Sequence, residues 1–106
     1  MTLSDEEFQD IADATLRRLM EALDNAEDAD ADLREGVLTI ELESGGQYIV
    51  NKHAPNKEIW VSSPKSGAWH FAYDAARKAW SDTRNRGGES MTLEKLLAGE
   101  LDVPQV

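Results

Sequence analysis

At Asp28 the apolar residues of this chain change period, and no other feature restricts its fold as tightly. Before that point Phe8, Ile11, Ala12, Thr15, Leu16, Leu19, Leu23 and Ala26 recur at the spacing of one helix face. Ser4 with Glu7 forms a capping box, and acids fill the first turn, where the helix dipole favours them. A helix over residues 5–26 is predicted. Beyond it, Asp28-Ala29-Asp30-Ala31-Asp32-Leu33 alternates acid and apolar residues, the pattern of a half-buried strand.

Strand patterns then follow one another through short turns. Gly36 precedes the β-branched run at 37–42, and Ser44-Gly45-Gly46 reads as a hairpin turn into 47–52. Ala54-Pro55-Asn56 and Pro64-Lys65-Ser66-Gly67 punctuate strands at 58–63 and 68–73, and a short strand is expected at 79–83. Thr92 caps a last helix whose Leu93, Leu96, Leu97 and Leu101 share a face. The expected architecture is an α+β two-layer sandwich, with two helices on one face of a five- to six-stranded antiparallel sheet. The other sheet face is left to solvent. Residues 1–106 read as a single domain, with a helix over 5–26, a sheet over 28–83, a helix over 92–101 and a short tail.

Charge is distributed very unevenly. Residues 1–35 hold 12 Asp and Glu against three Arg, and so carry nearly all of the net −10. Such a concentration marks an interaction surface for a metal or a basic partner, or else a solvated face. On the helix, Glu6, Asp10, Asp13, Glu21 and Asp24 fall largely away from the apolar stripe. With Asp28, Asp30 and Asp32 on the outer face of the strand, they are expected to form one ridge. A convex row of carboxylates suits hard or borderline cations such as Fe(II), Mn(II) or Ca(II), held at several weak, exchangeable positions. An EF-hand over 24–35 is excluded, because Ala26 and Ala29 stand where that loop needs a ligand and a glycine.

The acidic pI of about 4.5 argues against nucleic acid and anionic membranes. The chain has no cysteine, which removes disulfides, thiolate metal sites and thiol nucleophiles. Neither His53 nor His70 has a partner at metal-ligand spacing, and no catalytic constellation is evident, so no enzymatic role is expected. The opening residues resemble neither a signal nor a transit peptide, and a cytoplasmic location is expected. Strand alternation places Trp60 on the open sheet face together with His70, whereas Ile59, Val61 and Phe71 point to the helices. Trp60 is then either an interface anchor or a side chain partly covered by its sheet neighbours.

The run Tyr48-Ile49-Val50-Asn51-Lys52, followed by Pro55-Asn56-Lys57-Glu58-Ile59-Trp60-Val61-Ser62-Ser63-Pro64, resembles the frataxin family in its bacterial, CyaY-like form. The acidic first helix, Gly36-Val37-Leu38-Thr39, and His70-Phe71 with Tyr73 before Trp80 extend the resemblance over residues 5–101. It implies a non-enzymatic accessory protein of iron–sulfur cluster assembly that binds Fe(II), and also Fe(III), weakly and exchangeably. The implied partners are the cysteine desulfurase and the scaffold protein, and the implied state without iron is a monomer. The metal role falls to Asp10, Asp13, Glu21, Asp24, Asp28, Asp30 and Asp32. The partner-binding role falls to Asn51, Lys52, Trp60 and His70, with Asn56 in the adjoining turn. Glu58 stands where many members have Gln, and Ala72 where bacterial members commonly have Asp. The alternative is an acidic interaction module that regulates the desulfurase, with iron binding incidental.

Overall fold

The computed structural model describes residues 3–24, 26, 28–84 and 91–101. In chain order the elements are α1 (Asp5–Leu23), β1 (Ala29–Arg34), β2 (Val37–Leu42), β3 (Gln47–His53), β4 (Glu58–Ser63), β5 (Gly67–Asp74), β6 (Ala79–Asp82) and α2 (Leu93–Leu101). A single 3-10 turn, Ala54–Asn56, joins β3 to β4. The strands pair antiparallel in the order β1-β2-β3-β4-β5-β6, each beside its sequence neighbour. The architecture is thus the expected two-layer sandwich, with six strands.

The Ser4–Glu7 capping box starts α1, each side chain accepting from the other residue's backbone N–H. The helix stops at Leu23, three residues short of the expected end. Its last turn contains no basic residue, so Glu21 and the C-cap Asp24 face the negative end of the dipole uncompensated. The N–H of Ala26 returns to Leu23 O at 3.0 Å, and the chain passes into the turn before β1. Register in the first hairpin is set by its tight turn, in which Glu35 and Gly36 have φ of 50° and 79°. Leu33 then pairs with Leu38, Ala31 with Ile40, and Asp30 with Glu41.

Alternation sends Leu38, Ile40, Tyr48, Val50, Ile59, Val61, Phe71 and Trp80 toward the helices, where all are buried. Phe8, Ala12, Leu16, Leu19 and Leu23 close over them from α1, and Leu93, Leu96 and Leu97 from α2. Each such Leu, Ile or Phe stabilises the fold by about 1.5–3 kcal/mol through burial. Trp80 lies between Phe8 and Tyr73, edge-on to both. Its indole N–H donates to Thr15 Oγ1 at 2.9 Å, and the Thr15 hydroxyl donates to Ile11 O. This satisfies a buried donor that would otherwise cost stability.

A second polar network anchors the end of α2. The Glu100 carboxylate accepts from Tyr48 OH at 2.7 Å and from the hydroxyls of Ser63 and Ser66, each at 2.6 Å. Lys65 Nζ donates to the Glu100 carbonyl at 2.7 Å. Ser63 Oγ also accepts from the backbone N–H groups of Lys65 and Ser66, which shapes the β4–β5 turn. One carboxylate therefore ties α2 to β3, β4 and the turn between β4 and β5.

Candidate functional site

The open face of the sheet is built by the residues that alternate with the core. Asn51 pairs opposite Trp60 across β3 and β4, and Trp60 opposite His70 across β4 and β5. Trp60 is half-buried, because an imidazole covers each face of its ring. His53 stacks on one side, with centroids 3.6 Å apart and planes within 9°, and His70 on the other at 4.2 Å and 10°. The indole N–H donates to Glu58 Oε1 at 2.8 Å. The result is a three-ring ladder whose central rung is fixed on both faces and at its polar edge.

Lys52 is not part of this face. It follows the parity of Val50, points into the helix layer and places Nζ 2.7 Å from Asp13 Oδ1. Its stem passes Gly36 so closely that a Cβ there would stand 3.0 Å from Cε. Lys57, left-handed at φ 53°, turns the same way and donates to Leu3 O at 2.6 Å. The two lysines of the conspicuous central run thus brace α1 against the sheet. Asn56 is exposed in the 3-10 turn beside them.

The acidic side chains divide into groups. α1 packs chiefly over the edge strand β1. Asp13 is paired with Lys52, whereas Asp10 borders the groove on the other flank of α1, beside Arg18, Tyr73, Trp80 and Glu94. Glu21 and Asp24 are exposed near the end of α1. Asp30 and Asp32 project from the open face of β1, and Asp32 is taken up by Arg34 at 2.9 Å. Asp28 lies just before β1, and its carbonyl accepts from the Glu43 N–H at 2.9 Å.

Register adds two acids that the sequence pattern alone had not joined to this group. Glu41 is the cross-strand partner of Asp30, and Glu43 lies alongside Asp28. Asp28, Asp30, Glu41 and Glu43 line one open depression at the end of the β1–β2 hairpin. Among the described residues no three Asp, Glu or His side chains converge closely enough to hold one ion. The donor set is all carboxylate oxygen, the donor type that hard divalent cations accept. The open sheet face therefore runs from a carboxylate edge at β1–β2 to the aromatic ladder at β3–β5.

This fold is that of frataxin. The frataxin of Psychromonas ingrahamii superposes with a TM-score of 0.80 over 93% of this chain and 89% of that one, at 23% identity. The chain itself belongs to the frataxin-like family, whose domain model matches residues 1–104. The iron-sulfur cluster assembly protein CyaY of Thioalkalivibrio sulfidiphilus is 41% identical over 93 residues, covering 85% of this chain and 84% of that protein. The trimeric frataxin of Saccharomyces cerevisiae, in its ferrous complex, is 32% identical with a TM-score of 0.67, over 96% of this chain and 86% of that one. The chain spans about half the length of the plant and slime-mould mitochondrial frataxins that it also matches.

Proposed function

We propose that this protein is a non-enzymatic accessory of iron–sulfur cluster assembly that binds Fe(II) weakly on its acidic edge and docks on a cysteine desulfurase beside the scaffold protein. The observation that carries this reading is the sharing of one open sheet face by the β1–β2 carboxylates and the restrained Trp60. The names of the bacterial relative and of the yeast ferrous complex support it. Carboxylates steer a basic partner and speed encounter, while a desolvated indole supplies specificity. Iron and the partner compete for the same charges, so iron tunes the complex. Asp28 and Asp30 are the central ligands of this proposal, Glu21, Asp24 and Asp32 peripheral ones, and Asp10 and Asp13 minor ones, given their positions.

An anaerobic Fe(II) titration followed by amide NMR tests the iron site. Broadening is expected first at Asp28, Asp30, Glu41 and Glu43. Changes confined to Asn51 and Trp60, with residues 10–43 silent, would sink the assignment. Crowded carboxylates also repel one another, so Asp28→Lys with Asp30→Lys is expected to raise Tm by about 2–4 °C. The same variant should lose iron broadening at the hairpin. An unchanged Tm, measured by circular dichroism at low salt, would show that the acids there are not in conflict.

Among the described residues no ligand set converges, which favours one further reading, an interaction module for which iron is incidental. Capture of the desulfurase in the presence of chelator separates the two. Undiminished capture and unchanged modulation of desulfurase activity support the module, and loss of both supports iron dependence.

A further inference from the structure

The two edges of the sheet end differently. At β6, Ser81 bridges to Thr92 and the Asp82 N–H donates to Met91 O at 3.1 Å, so the stretch before α2 covers that edge. At β1, no strand or backbone bond among the described residues covers the outer side. The bond from the Glu43 N–H to Asp28 O makes these two residues a hydrogen-bonded pair. Such pairs alternate along an antiparallel ladder, so Asp30, Asp32 and Arg34 direct their backbone groups to β2. The N–H and C=O groups of Ala29, Ala31 and Leu33 therefore point out of the sheet, where they form a template for another chain.

Side chains along this edge sort by face. Ala29, Ala31 and Leu33 are half-buried and, with Met20 and Ala26, form an apolar seam that is covered only in part. Asp28, Asp30 and Asp32 are exposed. Acids of this kind protect an edge, because a second copy laid along β1 would set carboxylate against carboxylate. Protection does not account for the half-covered seam. The same charges that exclude a copy also admit a strand of opposite sign. Arg34, which meets Asp32 at 2.9 Å, is no obstacle, since both side chains are well exposed and such a pair exchanges readily.

We propose that the outer edge of β1 is a strand-addition site: an extended segment of a partner protein, with Lys or Arg at alternate positions and small apolar residues between them, pairs with Ala29, Ala31 and Leu33 as a further strand of the sheet. Its cations meet Asp28, Asp30 and Asp32, and its apolar side chains complete the seam beneath α1. The site rests on the reading of the acidic edge as a partner surface and adds how that surface is read. Backbone bonds supply affinity, and the alternation of charge fixes register.

The probe is a synthetic peptide in which Lys and Val alternate. It is compared with a peptide of the same composition whose lysines are clustered, and with forms N-methylated on one alternate set of peptide nitrogens or on the other. At saturation with the alternating peptide, amide hydrogen exchange at Ala29, Ala31 and Leu33 is expected to slow about tenfold. Methylation of the set facing β1 should abolish binding, and methylation of the other set should leave it unchanged, although the charge is the same in both. Ala31→Pro removes an outward N–H at a position where an edge strand accepts proline, and should weaken binding about tenfold with little change in Tm. Equal binding of all these peptides, or unslowed exchange, would mean attraction of charge without strand addition and overturns the proposal, even where the proline variant fails to fold. Protection of the same amides in the free protein that rises with its concentration would give the edge to a second copy, and overturns it too.

Desulfurase binding joins the site to the docking reading. Ala31→Pro keeps the net charge and is expected to weaken that binding about tenfold. If Asp28→Lys with Asp30→Lys associates with the desulfurase as fast as wild type at low salt, the docking reading fails while the peptide result stands. If that charge variant slows association but a folded Ala31→Pro binds like wild type, docking stands and strand addition by this partner is overturned.

Discussion

Glu100→Ala is expected to destabilise the fold by about 3 kcal/mol, which lowers Tm by roughly 15 °C in a domain of this size. The estimate follows from what the carboxylate holds. Three hydroxyls donate to it, and the change leaves Tyr48, Ser63 and Ser66 without their acceptor at the seam of α2 and the sheet. Hydrogen bonds to a charged group contribute about 1.5–3 kcal/mol each, but these three share one acceptor and do not add. Glu100→Gln keeps the shape and one acceptor oxygen, and should lose about half as much. Urea unfolding at neutral pH measures both. A loss below about 1 kcal/mol for the alanine variant would mean that α2 is held by its leucines alone.

The same network gives stability a pH dependence of known sign. Burial pushes the Glu100 carboxyl up, but the hydroxyls of Ser63, Ser66 and Tyr48, aided by the Lys65 charge, leave it below the ordinary 4.5. The unfolded chain therefore takes up this proton first as pH falls. The contribution is complete above the unfolded value and is lost as pH drops through the folded one. Wild type and Glu100→Gln should accordingly converge in stability below about pH 4.5. At the alkaline end, burial and the bond to Glu100 push Tyr48 up to about 12 from 10.0. That share of stability is lost as pH rises from the unfolded value through the folded one.

How much of this was legible in the sequence depends on the physical distance between pattern and contact. The change of period at Asp28 and the parity of Trp60 follow from backbone geometry, so the sandwich and its open face could be read directly. Parity also held the correct position of Lys52, since it shares a face with Val50. The resemblance implies a partner-binding role for it beside Trp60, whereas the structure sets its ammonium against Asp13 on α1. Glu41 joins Asp30 only through register, which counts outward from the tight turn at Glu35-Gly36. His53 could be placed on the face by parity, but its stacking depends on ring torsions that no periodicity encodes. Glu100 meets Tyr48 across 52 residues, and nothing local announces such a contact. The helix end was overrun because Ala26 continues the apolar spacing, whereas uncompensated acids decide where the helix stops.

Trp60→Ala is expected to weaken desulfurase binding at least 30-fold, or about 2 kcal/mol, while changing stability by less than about 1 kcal/mol. The two numbers part because of where the ring stands. It projects from the face opposite the core, so its removal opens no cavity among Phe8, Trp80 and the leucines. Yet it is a large apolar side chain fixed on three sides before any partner arrives, by His53, His70 and Glu58. Fixing it in advance removes an ordering cost from binding, the condition under which a single aromatic dominates an interface. Charge changes at the β1–β2 edge should behave differently. They act through long-range attraction, and are expected to lower the association rate a few-fold and to lose effect as salt rises. Binding kinetics at low and high salt, with urea unfolding of the same samples, distinguish the two surfaces. A Trp60→Ala variant that binds like wild type, or whose weaker binding vanishes at high salt, would remove the indole from the dock and leave the carboxylates as its only determinant.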